Sequence, residues 1–180
     1  MTQSLPEFTN MWKNYPDASK GKDAVVHDIG GNLEQSVNQN PDAWNSCTIR
    51  LSHSFNYAGH LIPSKHILKK SLSKEVMSVK QGGDQLWYAY RVEDMKFYVQ
   101  EIFGPEDGKL HVTKGGQGVS ANKLPSKKLL VFFRFLDESH KPKPQWASHA
   151  DLWDGSAMRY NNILEKEEHS DIHVTYWEFD

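Results

Sequence analysis

The chain holds a single cysteine, Cys47, among its 180 residues. An internal disulfide is therefore excluded, and nothing ties folding to an oxidising compartment. Long apolar runs are also missing. No stretch approaches the roughly 20 residues that span a bilayer, so membrane insertion is not expected. Neither sign of charge dominates: 21 Lys and Arg stand against 23 Asp and Glu, a formal net charge of −2. That balance removes the electrostatic case for nucleic acid or an anionic membrane as partner. The opening residues Met1-Thr2-Gln3-Ser4-Leu5-Pro6-Glu7 contain neither a basic nor an apolar stretch. A protein made in the cytoplasm without a classical secretory signal is the expectation, and export by a machine that needs no cleaved signal stays compatible with it. The pair Gly30-Gly31 lacks the Lys-Ser/Thr that completes a phosphate loop, so it reads as backbone geometry.

What the chain does contain is material for a core. Hydrophobic residues make up 38% and aromatics 12%, which places it among globular rather than disordered chains. One domain over 1–180 is the simplest organisation, since no repeat or linker argues for a second. Phe8, Met11, Trp12 and Tyr15 give an apolar side to a helix over 4–16, with Ser4 as cap and Pro6 in its first turn. A polar connector around Lys20-Gly21-Lys22 leads to a tight turn at Ile29-Gly30-Gly31-Asn32. After Gly59, residues Ser64, Lys65, Lys69, Lys70 and Lys74 make a solvated face compatible with a short helix. Val92, Met95, Val99, Ile102 and Phe103 recur at helical spacing, and Gly104-Pro105 ends that helix.

Residues 106–127 read as a Gly-, Ser- and Lys-rich surface loop, or as a helix start at Ser120. The run Leu129–Leu136 has the composition of a buried central strand, and residues 146–153 read as the next strand. Asp154-Gly155 signals a tight hairpin, with a third strand from Ser156 that fades by Asn162. Residues 165–171 are acidic and read as exposed, and 173–179 alternate as a closing strand. Helices first and antiparallel strands after predict an α+β fold.

The chemistry centres on Cys47. Asn45 or Ser46 can cap a helix that stops at Gly59, and Leu51, Phe55 and Ala58 form its apolar stripe. Cys47 lies four residues before Leu51, on that stripe and at the helix start. The positive end of the helix dipole favours the thiolate, and backbone N–H groups there can hold an oxyanion. The plainer reading is a small buried hydrophobe.

Cysteine catalysis also needs a base, held by a third polar group. In the strand Ala147-Ser148-His149-Ala150-Asp151-Leu152-Trp153, alternation puts His149, Asp151 and Trp153 on one face. If the Cys47 helix packs on that face, His149 can meet the thiol. A two-residue turn pairs His149 with Tyr160, and a three-residue turn or a bulge pairs it with Asn161. The third member is therefore sought first at Asn161, then Asn162, then Asp151, which lies about 7 Å along the strand from His149. Both asparagines also fit plain turn chemistry. A metal site built from His140, His149, Asp151, His169 and His173 is the competing arrangement. The His169–His173 spacing suits a helix while His173 reads as strand, so neither metal nor other cofactor is expected.

Taken together, these pieces resemble the type VI secretion amidase effectors of the fourth family, NlpC-like papain-fold cysteine peptidases. The resemblance rests on Phe8 and Trp12, Ile29-Gly30-Gly31-Asn32, the run Asn45 to Ser52, and Asn56-Tyr57-Ala58-Gly59. It continues through Tyr90 to Met95, Ser148 to Ser156 and Tyr176-Trp177-Glu178-Phe179, in order along most of the chain. It implies Cys47 as nucleophile and His149 as base. The implied substrate is the peptidoglycan stem peptide, cut between γ-D-glutamate and meso-diaminopimelate. Delivery by the type VI apparatus into a rival's periplasm and a small immunity protein as partner are implied too. The chain departs from the family at two places: Ser148 stands where the family often has Gly, and Tyr160 where it usually has an acid. The missing acid motivates an alternative, a catalytically inactive binding module on the same fold. A cysteine acyltransferase uses the same triad logic.

Overall fold

A computed structural model describes residues 2–70, 73–112, 124–137, 141, 148–160 and 171–180. The chain divides into two compact units, Met1–Pro105 and Glu106–Asp180. The first contains helices α1 (Phe8–Lys13), α2 (Lys22–Ile29) and α3 (Gly31–Gln39), a 3₁₀ turn at Pro41–Ala43, and α4 (Ser46–Tyr57). The hairpin of β1 (Ile67–Lys70) and β2 (Ser73–Val76) follows, then the pair β3 (Val79–Gln81) and β4 (Trp87–Ala89), and α5 (Val92–Phe103). The second unit is a four-stranded antiparallel sheet of β5 (Gly108–Val112), β6 (Leu129–Leu136), β7 (Ser148–Trp153) and β8 (Asp171–Glu178), in the order β5-β8-β6-β7. The protein is thus α+β.

Helix α4 organises the first unit. Leu51 and Phe55 of the apolar stripe are fully buried, its last member Ala58 is half-buried, and Ile49, outside the stripe, is fully buried as well. Its polar residues Thr48, Arg50, Ser52, Ser54 and Asn56 are buried too. A helix can tolerate this only if each polar group finds a partner. Ser54 Oγ donates to the Met11 carbonyl in α1 at 2.6 Å. Ser52 Oγ accepts the Ala89 N–H of β4 at 3.0 Å, and Asn56 Nδ2 donates to the Trp87 carbonyl at 2.9 Å. The Arg50 guanidinium donates to the carbonyls of Pro16 at 3.2 Å, Asp17 at 2.7 Å, and Lys20.

The turn Ile29-Gly30-Gly31 joins α2 to α3 with positive φ at both glycines, 67° and 71°. Gly31 lies against a second glycine pair. A Cβ on it would sit 2.4 Å from Gly83 N and 2.6 Å from the Gly82 carbonyl carbon. The approach is sealed by Gly83 N–H donating to the Ile29 carbonyl at 2.9 Å. Only residues without side chains allow two backbones to meet this way.

In the second unit β6 lies between β8 and β7 and is buried on both faces except at Arg134. Its Phe133 stands opposite His149 of β7 and Val174 of β8. Leu129, Val131, Phe133 and Phe135 form one core cluster with Trp153, Ile172 and Val174.

Several expectations change. The first helix covers Phe8–Lys13 rather than 4–16, since Glu7 takes the N-cap position. The connector around Lys22 contains the helix α2, and the lysine-rich segment after Gly59 forms the β1–β2 hairpin instead of a helix. Leu68 is buried between exposed Ile67 and Lys69, the alternation of a strand. The segment read as a surface loop contains β5, which pairs with β8. Asp171 is buried at the start of β8 rather than exposed. The turn after β7 takes four residues: Trp153 bridges Met158, and no two-residue hairpin forms. The cause is Asp154, whose Oδ1 accepts from Ser156 N, Ser156 Oγ and Ala157 N, each at 2.8 Å, and winds the chain past Gly155. The third strand is reduced, over 156–160, to that single bridge.

Two tests follow from the buried polar groups. Arg50→Met should lower the unfolding free energy by about 2–4 kcal/mol, because three carbonyls lose a charged donor. Urea denaturation measures this, and a change below about 0.5 kcal/mol would contradict the role given to Arg50. Loss of solvation lowers the pKa of His53 and His60 below the ordinary 6.5. The unfolded chain then binds more protons than the native one below that value, so stability is full above it and falls as the pH drops. Exposed His27, raised by the Glu34 hydrogen bond, acts in the opposite sense. The melting temperature should fall between about pH 7.5 and 5.5, and His53→Gln with His60→Gln should flatten the slope.

Candidate active site

Cys47 is the second residue of α4 and is 4% exposed. The chain reaches it under restraint. Asn45 N–H donates to the Tyr90 carbonyl at 3.1 Å, and the Trp44 ring lies 3.9 Å from that of Tyr90. Asn45 takes the N-cap position with extended backbone, but its side chain makes no capping bond, unlike the expectation. The Ile49 N–H closes on the Asn45 carbonyl at 3.2 Å, so the helix is regular from its first turn. Cys47 Sγ lies 4.0 Å from Thr48 Oγ1. The thiol thus lies in the first turn of a 12-residue helix, at the end where the unpaired backbone N–H groups gather.

In the second unit His149 is 4% exposed and Asp151 fully buried. His149 Nε2 lies 3.5 Å from Asp151 Oδ2, at the long end of hydrogen-bond range. Their Cα atoms are a two-residue repeat apart, which ranked Asp151 last among the candidates. The two side chains share a face and lean towards each other along the strand, and this closes the gap. Asp151 is itself held by backbone donors: Leu152 N at 2.8 Å and Tyr160 N at 3.0 Å. Phe133 stacks on the His149 ring at 5.9 Å, and Tyr160 lies 6.1 Å away on a tilted plane. The sequence picked out Tyr160 as opposite His149, whereas its backbone N–H is the group that matters, through Asp151. No side-chain signal encodes that bond. Asn161 and Asn162 lie outside the described residues.

The metal alternative fares differently. His140 and His169 lie outside the described residues. His173 pairs across from Arg134, one position along from Val174, so it faces away from His149 across the sheet. Its ring contacts His111 at 4.5 Å instead. Among the described residues no three His, Cys, Asp or Glu side chains gather as a metal site, and no helix is long and apolar enough to cross a membrane.

Among curated proteins none matches the chain. Solved structures do. The type VI effector Tae4 from Enterobacter cloacae is similar with a TM-score of 0.74 and 19% identity over 100% of both chains. Tae4 in the Tae4–Tai4 effector–immunity complex from Salmonella Typhimurium is similar with a TM-score of 0.70 and 23% identity, over 97% of this chain and 99% of that one. At such identities these likenesses establish the fold. The family model described as type VI secretion system (T6SS) amidase effector protein 4 matches residues 44–177, from the tryptophan ahead of Cys47 to the last strand, and the chain therefore belongs to the Tae4 family of amidase effectors.

Proposed function

We propose that this amidase acts on bacterial peptidoglycan as a cysteine enzyme of the papain-like, NlpC-like kind, with residues 1–180 forming one catalytic domain. The observation that carries the reading is a buried thiol in the first turn of α4, together with a buried His149–Asp151 pair on β7, all inside the span matched by the family. Cys47 attacks the amide carbon between γ-D-glutamate and meso-diaminopimelate of the stem peptide. Backbone N–H groups at the start of α4 hold the oxyanion. The C–N bond breaks, and the leaving amine takes a proton from His149. Water, deprotonated by His149, then cleaves the thioester and regenerates the thiol.

Asp151 is the third member of this set. With Nε2 turned to Asp151, Nδ1 of His149 is the atom that exchanges protons with the thiol and the leaving amine. A buried carboxylate stabilises the imidazolium, which a neutral Asn161 cannot do. Asp151 thereby answers the departure at Tyr160, which motivates the inactive-module reading. The protein is made in the cytoplasm, carried by the type VI apparatus and active in the target's periplasm, a route that its membership of an effector family supports. An immunity protein is its expected partner, as Tai4 is for the Tae4 proteins of Enterobacter cloacae and Salmonella Typhimurium.

Mass spectrometry of muropeptides after digestion tests the mechanism. Wild-type protein should release stems cut at the γ-D-glutamyl bond, and Cys47→Ala should reduce that release by about 10⁴-fold while remaining folded. Undiminished cleavage by the variant would sink the assignment. Asp151→Asn keeps an oxygen for the Tyr160 N–H but loses the charge. It should lower kcat/KM by about 10²-fold or more and shift the acidic limb of the pH profile, whereas Asn161→Ala should stay within about threefold of wild type. The opposite ranking would return the third role to Asn161.

A further inference from the structure

A concavity lies in the first unit, away from Cys47. It has a volume of about 250 Å³ and is bordered by the 16–20 segment, α2, the C-terminal half of α4 and the turn at Asp84. At about 30 Å³ per water molecule this is room for about eight waters, which suits one sugar ring. Its walls are rich in acceptors. Asp17, Asp28 and Asp84 line it together with Lys20, His53 and Tyr57. Lys20 is already paired with Asp28 at 2.5 Å.

His53 has a defined role in this wall. Its Nδ1 lies 2.8 Å from the Asn14 carbonyl. A carbonyl only accepts, so Nδ1 carries the proton, and in the neutral ring Nε2 is an acceptor. Burial lowers the ring's pKa and keeps it neutral. The ring stacks on Tyr57 at 4.3 Å and 22°, and Tyr57 is 47% exposed, an aromatic surface at the rim. Asp84 already receives hydroxyl donors, from Tyr57 at 2.9 Å and Tyr88 at 2.5 Å.

An aromatic face, a neutral imidazole acceptor and carboxylates that take O–H donors match the chemistry of a neutral polyol. We propose that this pocket binds a pyranose ring of the peptidoglycan glycan strand. The proposal rests on the peptidoglycan reading above. The spacing along the axis of α4 is of the right order. His53 and Tyr57 follow Cys47 by six and ten residues on α4. At 1.5 Å per residue the axial separations are about 9 and 15 Å. In a muropeptide a lactyl group and two amino acids lie between the sugar and the proposed scissile bond. At about 3.3–3.6 Å per unit this spans about 10 Å.

The test titrates isotope-labelled protein with chitotetraose, which carries the sugar without any peptide, and with diaminopimelate as the ammonium-bearing competitor. Chitotetraose should shift the resonances of His53, Tyr57 and Asp28, and Tyr57→Ala and Asp28→Ala should each weaken its binding by about fivefold or more. Absence of shifts, shifts centred elsewhere, unchanged affinity in both variants, or binding of diaminopimelate in preference to the sugar would each overturn the assignment. A kinetic arm compares a disaccharide-bearing muropeptide with the sugar-free stem. Wild type should prefer the former, and both variants should lose the preference while cleaving the sugar-free stem at the wild-type rate. No cleavage of either substrate by wild type would count against the proposed function, and the sugar titration would still decide the pocket.

Discussion

The first unit depends on one constraint: a helix that turns polar residues into the interior must satisfy them there. Amphipathic helices ordinarily leave one face to water. Helix α4 instead turns Arg50, Ser52, Ser54 and Asn56 into the interior and spends them on the backbone of its neighbours. Each bond ties a separate segment to the helix: the 16–20 loop, β4 and α1. Apolar packing alone is non-directional and would hold these segments loosely. The polar bonds give each of them a position and a register. The start of α4, where Cys47 sits, belongs to the same bonded frame, as the nucleophilic role proposed for Cys47 requires.

The second unit solves a related problem by different means. His149 and Asp151 are polar residues inside an apolar strand, and the sheet accommodates them by pairing them with each other and by lending Asp151 two backbone donors. The four-residue turn contributes, because it carries Tyr160 N–H back to the carboxylate. The turn chemistry of Asp154 and the electrostatics of His149 are in this way linked through a single stretch of chain.

How much of this was legible in the residues follows from the range of each interaction. The α4 helix, α5 and β8 show periodicity over eight or more residues and β6 is an apolar run of eight interrupted only by Arg134, and these signals are local. Cys47 and His149 were singled out because residue type and face are local as well. The β1–β2 hairpin and β5 were not, since their strands are four or five residues long and their lysines and glycines obscure the alternation. Asp151 was ranked last because spacing along a strand gives Cα distances, whereas the meeting of two side chains depends on how each leans. The buried role of Arg50 had no signature at all. A lone arginine on a helix reads as surface, and only the three carbonyls of a distant loop explain why it is inside.

The contact of Gly30-Gly31 with Gly82-Gly83 has a consequence for inheritance. Along the chain the two pairs are separated by about fifty residues, and each alone is a weak signal of a turn. Folded, they form one contact, because the backbones of residues 82 and 83 fill the space that a side chain at Gly31 would need. Such a side chain would require that opposite backbone to retreat, and with it the bond from Gly83 to Ile29. A substitution at Gly31 is therefore a change to two distant stretches of chain at once, and accommodating it would mean rebuilding the α2–α3 corner.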